Sequence, residues 1–264
     1  MTLDAAVLRS QLWSESSRIV TFLARERGVV KAMARGARGP KGRFGASLEP
    51  LQRVRITLSV RPTRELQTLT QADLLHPFAR LREDLFRVTY AQALAELLAR
   101  LVPAEQPAEE IFDLLLAALT TLEEGSGDPQ IVFLAAQLHL AAVLGYAVHT
   151  RVCLECGSPL PDGGVFLTAR GGMLCTGCRP SREGGYPVGG ETAALLDRLG
   201  EADAFAAAGA LNPSRRARQE STRVLRRHME YHTETDLTLH SLRLAESLER
   251  YETDTPSKED EESR

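Results

Sequence analysis

The chain has 264 residues, 43% of them hydrophobic and 25% charged, with a formal net charge of −3 and four cysteines. That balance suits a folded protein of two or three modest domains and argues against a disordered, fibrous or disulfide-dense secreted chain. No apolar run approaches the roughly 20 residues that cross a bilayer, and the start MTLDAAVLRSQLW carries Asp4 without the basic-then-apolar build of a signal peptide, so a cytoplasmic address is expected.

Five short strands are predicted first, over 5–12, 18–24, 29–34, 51–60 and 65–74. Their signals are β-branched residues, period-two alternation and the turn clusters WSESS and ERG. This strand count and length match an oligonucleotide-binding (OB) barrel, and an SH3-like barrel has the same periodicity. Residues 1–75 also hold 13 Lys and Arg against 6 Asp and Glu, while the rest of the chain holds 19 against 29. A basic N-terminal unit on an acidic body predicts that this unit meets a polyanion.

The basic charge is concentrated in VVKAMARGARGPKGRFGASL, residues 29–48. Lys31, Arg35, Arg38, Lys41 and Arg43 lie among Gly36, Gly39, Gly42 and Gly45, with no acid between Glu26 and Glu49. Glycines let a backbone approach phosphates closely, and the cations supply countercharge. Aromatic residues to stack on bases are scarce, with Phe22, Phe44 and Trp13 the N-terminal candidates, so backbone-dominated binding is expected.

Helical periodicity follows over 80–101, 109–122 and 129–144, a set that reads as a bundle, and resumes over 190–208 and 213–250. Between these blocks stand CLEC and CTGC, with Cys153, Cys156, Cys175 and Cys178 separated by eighteen residues in the middle. The spacing is that of a zinc ribbon, with GVFLTARGGMLC as a hairpin between the knuckles. Gly157 and Gly177 suit the knuckle turns. Disulfides, a thioredoxin-type pair and an iron–sulfur cluster fit less well. One structural Zn2+ is expected, with four thiolates and no open position for chemistry.

Enzyme signatures are absent: no phosphate-binding Gly-x-x-x-x-Gly-Lys-Ser/Thr, no nucleophile elbow, and Met229 where a zinc protease carries Glu between its histidines. His228 and His232 are therefore expected to be solvated helix residues, and the protein is expected not to be an enzyme. A second basic run, RRARQESTRVLRR at 215–227, places Arg216, Arg223 and Arg227 on one helix face. That face either pairs with Glu220 and neighbouring acids or makes a supplementary nucleic-acid contact. The tail TDTPSKEDEESR is expected to be disordered.

The expected architecture is multidomain α+β: an OB-fold barrel over 1–78, a helical domain over 79–150 and 186–250, a four-cysteine zinc-ribbon insert over 151–185, and an acidic tail over 251–264. The motifs Glu15–Ser16–Ser17, Glu26–Arg27–Gly28, Ala34–Arg35–Gly36–Ala37–Arg38 and Phe44 to Pro50, together with FLAAQLHLAAVLGYAVHTRVCLECG, resemble the bacterial RecO recombination mediators. The resemblance implies an OB-fold protein that binds single- and double-stranded DNA and anneals complementary strands. It also implies work with RecR, single-stranded-DNA-binding protein (SSB) and in many bacteria RecF to help load RecA. The glycines within Arg38–Gly39–Pro40–Lys41–Gly42 depart from relatives that carry bulkier residues, and the cysteine set is not universal in the family. The competing expectation is a protein-interaction scaffold whose basic loop grips an acidic peptide.

Overall fold

A computed structural model describes residues 1–37, 44–61, 63–125, 127–179, 184–201, 205, 208, 211–245 and 247. The tail predicted over 251–264 lies outside them. The five expected strands form as β1 (Thr2–Leu12), β2 (Ser17–Ala24), β3 (Gly28–Arg35), β4 (Arg53–Ser59) and β5 (Leu66–His76). They close into a barrel in the order β1-β2-β3-β5-β4, with β4 pairing back onto β1. Neighbours are antiparallel except β3 and β5, which run parallel from Lys31↔Leu66 to Met33↔Thr68. The parallel step makes the barrel OB-like and separates it from the SH3-like alternative.

Alternation along each strand decides what goes inside. Val7, Val20, Phe22, Val30, Val54, Ile56 and Leu58 fill the lumen together with Ala5, Ala24, Ala32 and Ala34. Alanine recurs there because five strands enclose little space. The outer wall has two fates. Ala6, Leu8, Leu23, Val29 and Leu51 join the core of the helical part. A register shift between Val7 and Arg9 then turns the far half of β1, so that Arg9 and Gln11 face solvent.

The helices are α1 (Leu85–Leu101), α2 (Glu109–Glu124), α3 (Pro129–Val143), α4 (Gly190–Leu199) and α5 (Arg215–Thr233). The helix expected from 80 begins only at Leu85, where Asp84 caps α1 through Arg87 N–H; Asp128 caps α3 through Gln130 and Ile131 N–H, and Ser214 caps α5 through Ala217 N–H. α3 is apolar on nearly every side because the other helices surround it; Ile131 to Leu138 are all buried. The single helix expected over 213–250 is broken instead. Glu234 takes a left-handed φ of 51° at the end of α5, and helix resumes only at 240.

Barrel and helices meet at the β2–β3 turn. Arg25 holds Asp113 through two bonds of 2.8 and 2.9 Å, Arg27 pairs with Glu105, and Val29 N–H donates to Pro103 O at 3.2 Å. Gly28 has φ +63°, and a Cβ there would stand 2.4 Å from Pro103 O, so only glycine fits this joint.

The cysteine segment folds as expected into a hairpin, β6 (Gly163–Leu167) and β7 (Gly172–Leu174). A third strand, β8 (Tyr186–Gly189), was not expected; it pairs with β6 on the other side. Val165, Phe166, Leu167, Met173 and Leu174 belong to the same buried core as the helices.

Candidate nucleic-acid interface and metal centre

Past the register shift, the strand pairings build a field of outward positions on β1, β2 and β3. Arg9, Thr21 and Lys31 form one row, and Gln11, Ile19 and Met33 the next. Ser17 pairs with Arg35, and Trp13 N–H donates to Ser17 O at 3.0 Å, which extends this third row onto the turn after β1. With strands ~4.8 Å apart and alternate residues ~6.8 Å apart, the field measures roughly 10 by 14 Å. None of the paired strand positions is an acid; the one acid of the adjoining turn is the exposed Glu15. Arg9, Lys31 and Arg35 are exposed and have no ion pair among the described residues.

The barrel's other arginines are differently placed. Arg53 holds Asp4 at 2.6 and 3.1 Å, and this pairing raises its already high pKa. Arg55 stands between Asp4 and Asp73 in the strand register. Arg18 pairs with Glu49 at 3.2 Å, and Arg25 and Arg27 are engaged in the joint with the helices. Arg61 and Arg64, between β4 and β5, are also exposed and have no ion pair among the described residues. Uncompensated charge therefore lies on the β1–β2–β3 face and at that connection, while Arg18, Arg25, Arg27 and Arg53 are paired.

Of the basic residues singled out in the sequence, Lys31 and Arg35 lie on this face. Arg38, Lys41 and Arg43 fall outside the described residues; their flanks, Ala37 and Phe44, pack on the barrel core. Arg9 was missed, and it becomes visible only when the alternation of β1 is restarted after Leu8. The aromatic candidates divide sharply. Phe22 and Phe44 are buried in the barrel and cannot stack on a base, whereas Trp13 is 64% exposed.

The arginines of α5 also divide. Arg216 pairs with Glu220 at 3.0 Å, while Arg223 and Arg227 stand 5.8 and 5.3 Å from the centre of the Tyr186 ring. Burial opposes ionisation of Glu220, but Arg216, the Thr192 hydroxyl and the Gly189 N–H together hold its pKa below the usual range. Its carboxylate thus caps the start of α4 and ties that helix to α5.

The four cysteine sulfurs all lie within 4.8 Å of one another, with Cys156 and Cys175 at 3.9 Å. Sulfurs bound at ~2.3 Å around one tetrahedral ion would be ~3.8 Å apart, so the set is nearly closed. The first knuckle is shaped by Gly157 at φ +70°, whose N–H donates to Cys153 O at 2.9 Å. Gly177 adopts no left-handed conformation, so the second knuckle does not require glycine for φ. The Cys175 N–H points at Cys153 Sγ, 3.4 Å away. Hydrogen bonds from the backbone of Cys156 and Cys175 lower the Cys153 thiol to about 6, whereas the neighbouring sulfurs of Cys175 and Cys156 push Cys178 up to about 12. Four sulfurs this close cannot all be anionic without a cation between them. The cluster fits a metal ion.

The two histidines of α5 are packed against the cysteine-bearing segment, His228 buried and His232 half-buried, contrary to the sequence expectation of solvated residues. His228 is fully buried, and its Nε2–H donates to Tyr146 O at 2.7 Å; His232 bonds Thr168 O at 3.0 Å and stacks on the Tyr146 ring. They pin the hairpin turn and the segment before the first knuckle onto α5. Burial lowers the His228 pKa, an effect that the nearby His232 and His149 reinforce and the bond to Tyr146 O opposes. A base held neutral in the fold binds fewer protons than in the unfolded chain, so its contribution is complete above about 6.5 and is lost as pH falls below that value. His228→Gln, which keeps an amide donor for Tyr146 O, should flatten this acid limb of stability in denaturation followed against pH. An unchanged acid limb would contradict the assignment.

Comparison with known proteins adds the lineage. Residues 1–78 match the family described as Recombination protein O N terminal, and residues 82–242 match Recombination protein O C terminal. The chain belongs to the RecO family. The DNA repair protein RecO of Anaeromyxobacter sp. (strain K) is 37% identical over 231 residues, 86% of this chain and 91% of that protein. The RecO of Thermobifida fusca (strain YX) is 36% identical over 245 residues, 92% and 97% of the two chains, and that of Pelotomaculum thermopropionicum is 36% identical over 234 residues, 89% and 90%. Family membership assigns a role in DNA repair and recombination. Among the described residues no helix is long and apolar enough to cross a membrane.

Proposed function

We propose that this chain binds single- and double-stranded DNA through backbone charge, anneals complementary strands without ATP, and helps load RecA on single strands together with RecR and SSB, with RecF as a further partner. The reading rests on one observation above all: an OB-like barrel in a RecO chain carries Arg9, Lys31 and Arg35 on a face with no acid to pair them. The cations at 38–43 continue from the end of β3 in the sequence, and Arg223 and Arg227 supply a supplementary contact beside Tyr186. Two strands repel each other through their phosphates, and a surface that neutralises both lowers the barrier to pairing.

The metal in this proposal is one zinc ion held by Cys153, Cys156, Cys175 and Cys178. Four thiolates fill its shell, so it holds the hairpin and takes no part in chemistry.

Annealing of complementary labelled oligonucleotides tests the function. The protein should accelerate pairing in the absence of nucleotide, and raised salt should abolish the effect. Tight capture of an acidic peptide, with no acceleration and no competition from DNA, would overturn the reading in favour of a protein-interaction scaffold.

A further inference from the structure

We infer that Trp13 is a base-stacking platform, so that the barrel face selects unpaired nucleotides over duplex; this rests on the DNA-binding reading above. An exposed tryptophan alone needs no partner. This one has a fixed place. The N–H groups of Trp13 and Ser14 both point at Ser17 O, at 3.0 and 3.4 Å, and this closes the turn and holds the backbone of the exposed Trp13 at the corner of the cationic field. Arg35 lies two strands across in the same row, and Arg9 lies two rungs down the same strand.

No other Phe, Trp or Tyr of residues 1–78 is available for stacking: Phe22, Phe44 and Phe78 are all buried. The face therefore joins one exposed π surface to three uncompensated cations. An unpaired nucleotide matches both features, because it carries a free base face and a phosphate. Duplex DNA offers phosphates but keeps its bases stacked, and an acidic peptide offers charge alone. An indole that stacks on a single strand loses that contact once the strand pairs, so the contact would favour release of the annealed product.

Trp13 is the only tryptophan in the chain, so its fluorescence reports on this position alone. The full-length protein is titrated with a dye-labelled thymidine oligonucleotide, an abasic strand of equal length and charge, and a duplex, following binding by anisotropy and the indole by emission. Emission should be quenched by the oligonucleotide and not by the abasic strand or the duplex. Trp13→Ala should weaken oligonucleotide binding about 10-fold and leave the other two within 2-fold. Trp13→Phe should restore most of the loss. If the oligonucleotide binds with indole emission unchanged and Trp13→Ala binds as well as wild type, the stacking inference is overturned and the DNA reading stands. If no strand binds at low salt, both fall together.

Discussion

Replacing Cys153 and Cys175 with serine, or treating the protein with a chelator, should lower the melting temperature by roughly 8–16 °C. The reason is where the cluster sits. Cys153 is buried, and the strands between the knuckles place Phe166, Met173 and Leu174 in the core that α3 and α5 share. A structural zinc ion contributes about 10–16 kcal/mol to the folding of isolated finger peptides. Loss of only ~4 kcal/mol from a domain of this size moves the midpoint by roughly 8–16 °C. Thermal denaturation with metal analysis by mass spectrometry checks the claim. The barrel lumen forms a separate buried cluster, so DNA binding at 25 °C should survive. A variant that melts within ~2 °C of wild type would mean that the sulfurs do not hold the hairpin.

The second large effect concerns the barrel face. Arg9→Ala, Lys31→Ala and Arg35→Ala together should weaken single-stranded DNA binding about 100-fold at 0.1 M salt. Each lost phosphate contact removes ~0.7 from the slope of log K against log salt, so the triple variant should be flatter by ~2. These side chains are exposed and have no ion pair among the described residues, so stability should change little. Arg55→Ala is the matched control. That arginine is equally exposed on the same barrel but stands between Asp4 and Asp73, so its removal should cost less than 3-fold. Equal losses in the triple variant and the control would mean that net charge matters and the face does not.

Much of this could be read from the chain, and the failures have physical causes. β-branched and aromatic content, the turn clusters and, for β4, clean period-two alternation located all five barrel strands, because these are local signals. The alternation is blurred in β1 and β2, whose outer residues Ala6, Leu8 and Leu23 are buried under the helices. The cysteine spacing located the four-sulfur cluster because ligand geometry is local. The same signals did not place Arg9 on the cationic face, since the register shift after Val7 changes the phase of β1 and leaves no mark in composition. β8 was missed because YPVG is four residues long and contains Pro and Gly, both disfavoured in strands. It is a strand because β6 offers an edge to pair with.

The arginines and histidines of α5 show the limit most clearly. On a helix wheel Arg216, Arg223 and Arg227 are equivalent, yet Glu220 takes the first and the Tyr186 ring takes the other two. His228 and His232 read as polar surface positions. They are covered because the hairpin turn, more than fifty residues earlier in the chain, folds over them. Contacts of that range are set by tertiary packing and carry no periodic signal.

The central claim is that the cationic face of the barrel, with the basic segment beside it, grips the DNA backbone by charge. The most direct test is a salt titration of the full-length protein binding a single-stranded oligonucleotide. Neutralising four or five phosphates predicts that log K falls against log salt with a slope of roughly −3. A slope near zero, or no binding even in dilute buffer, would contradict the account.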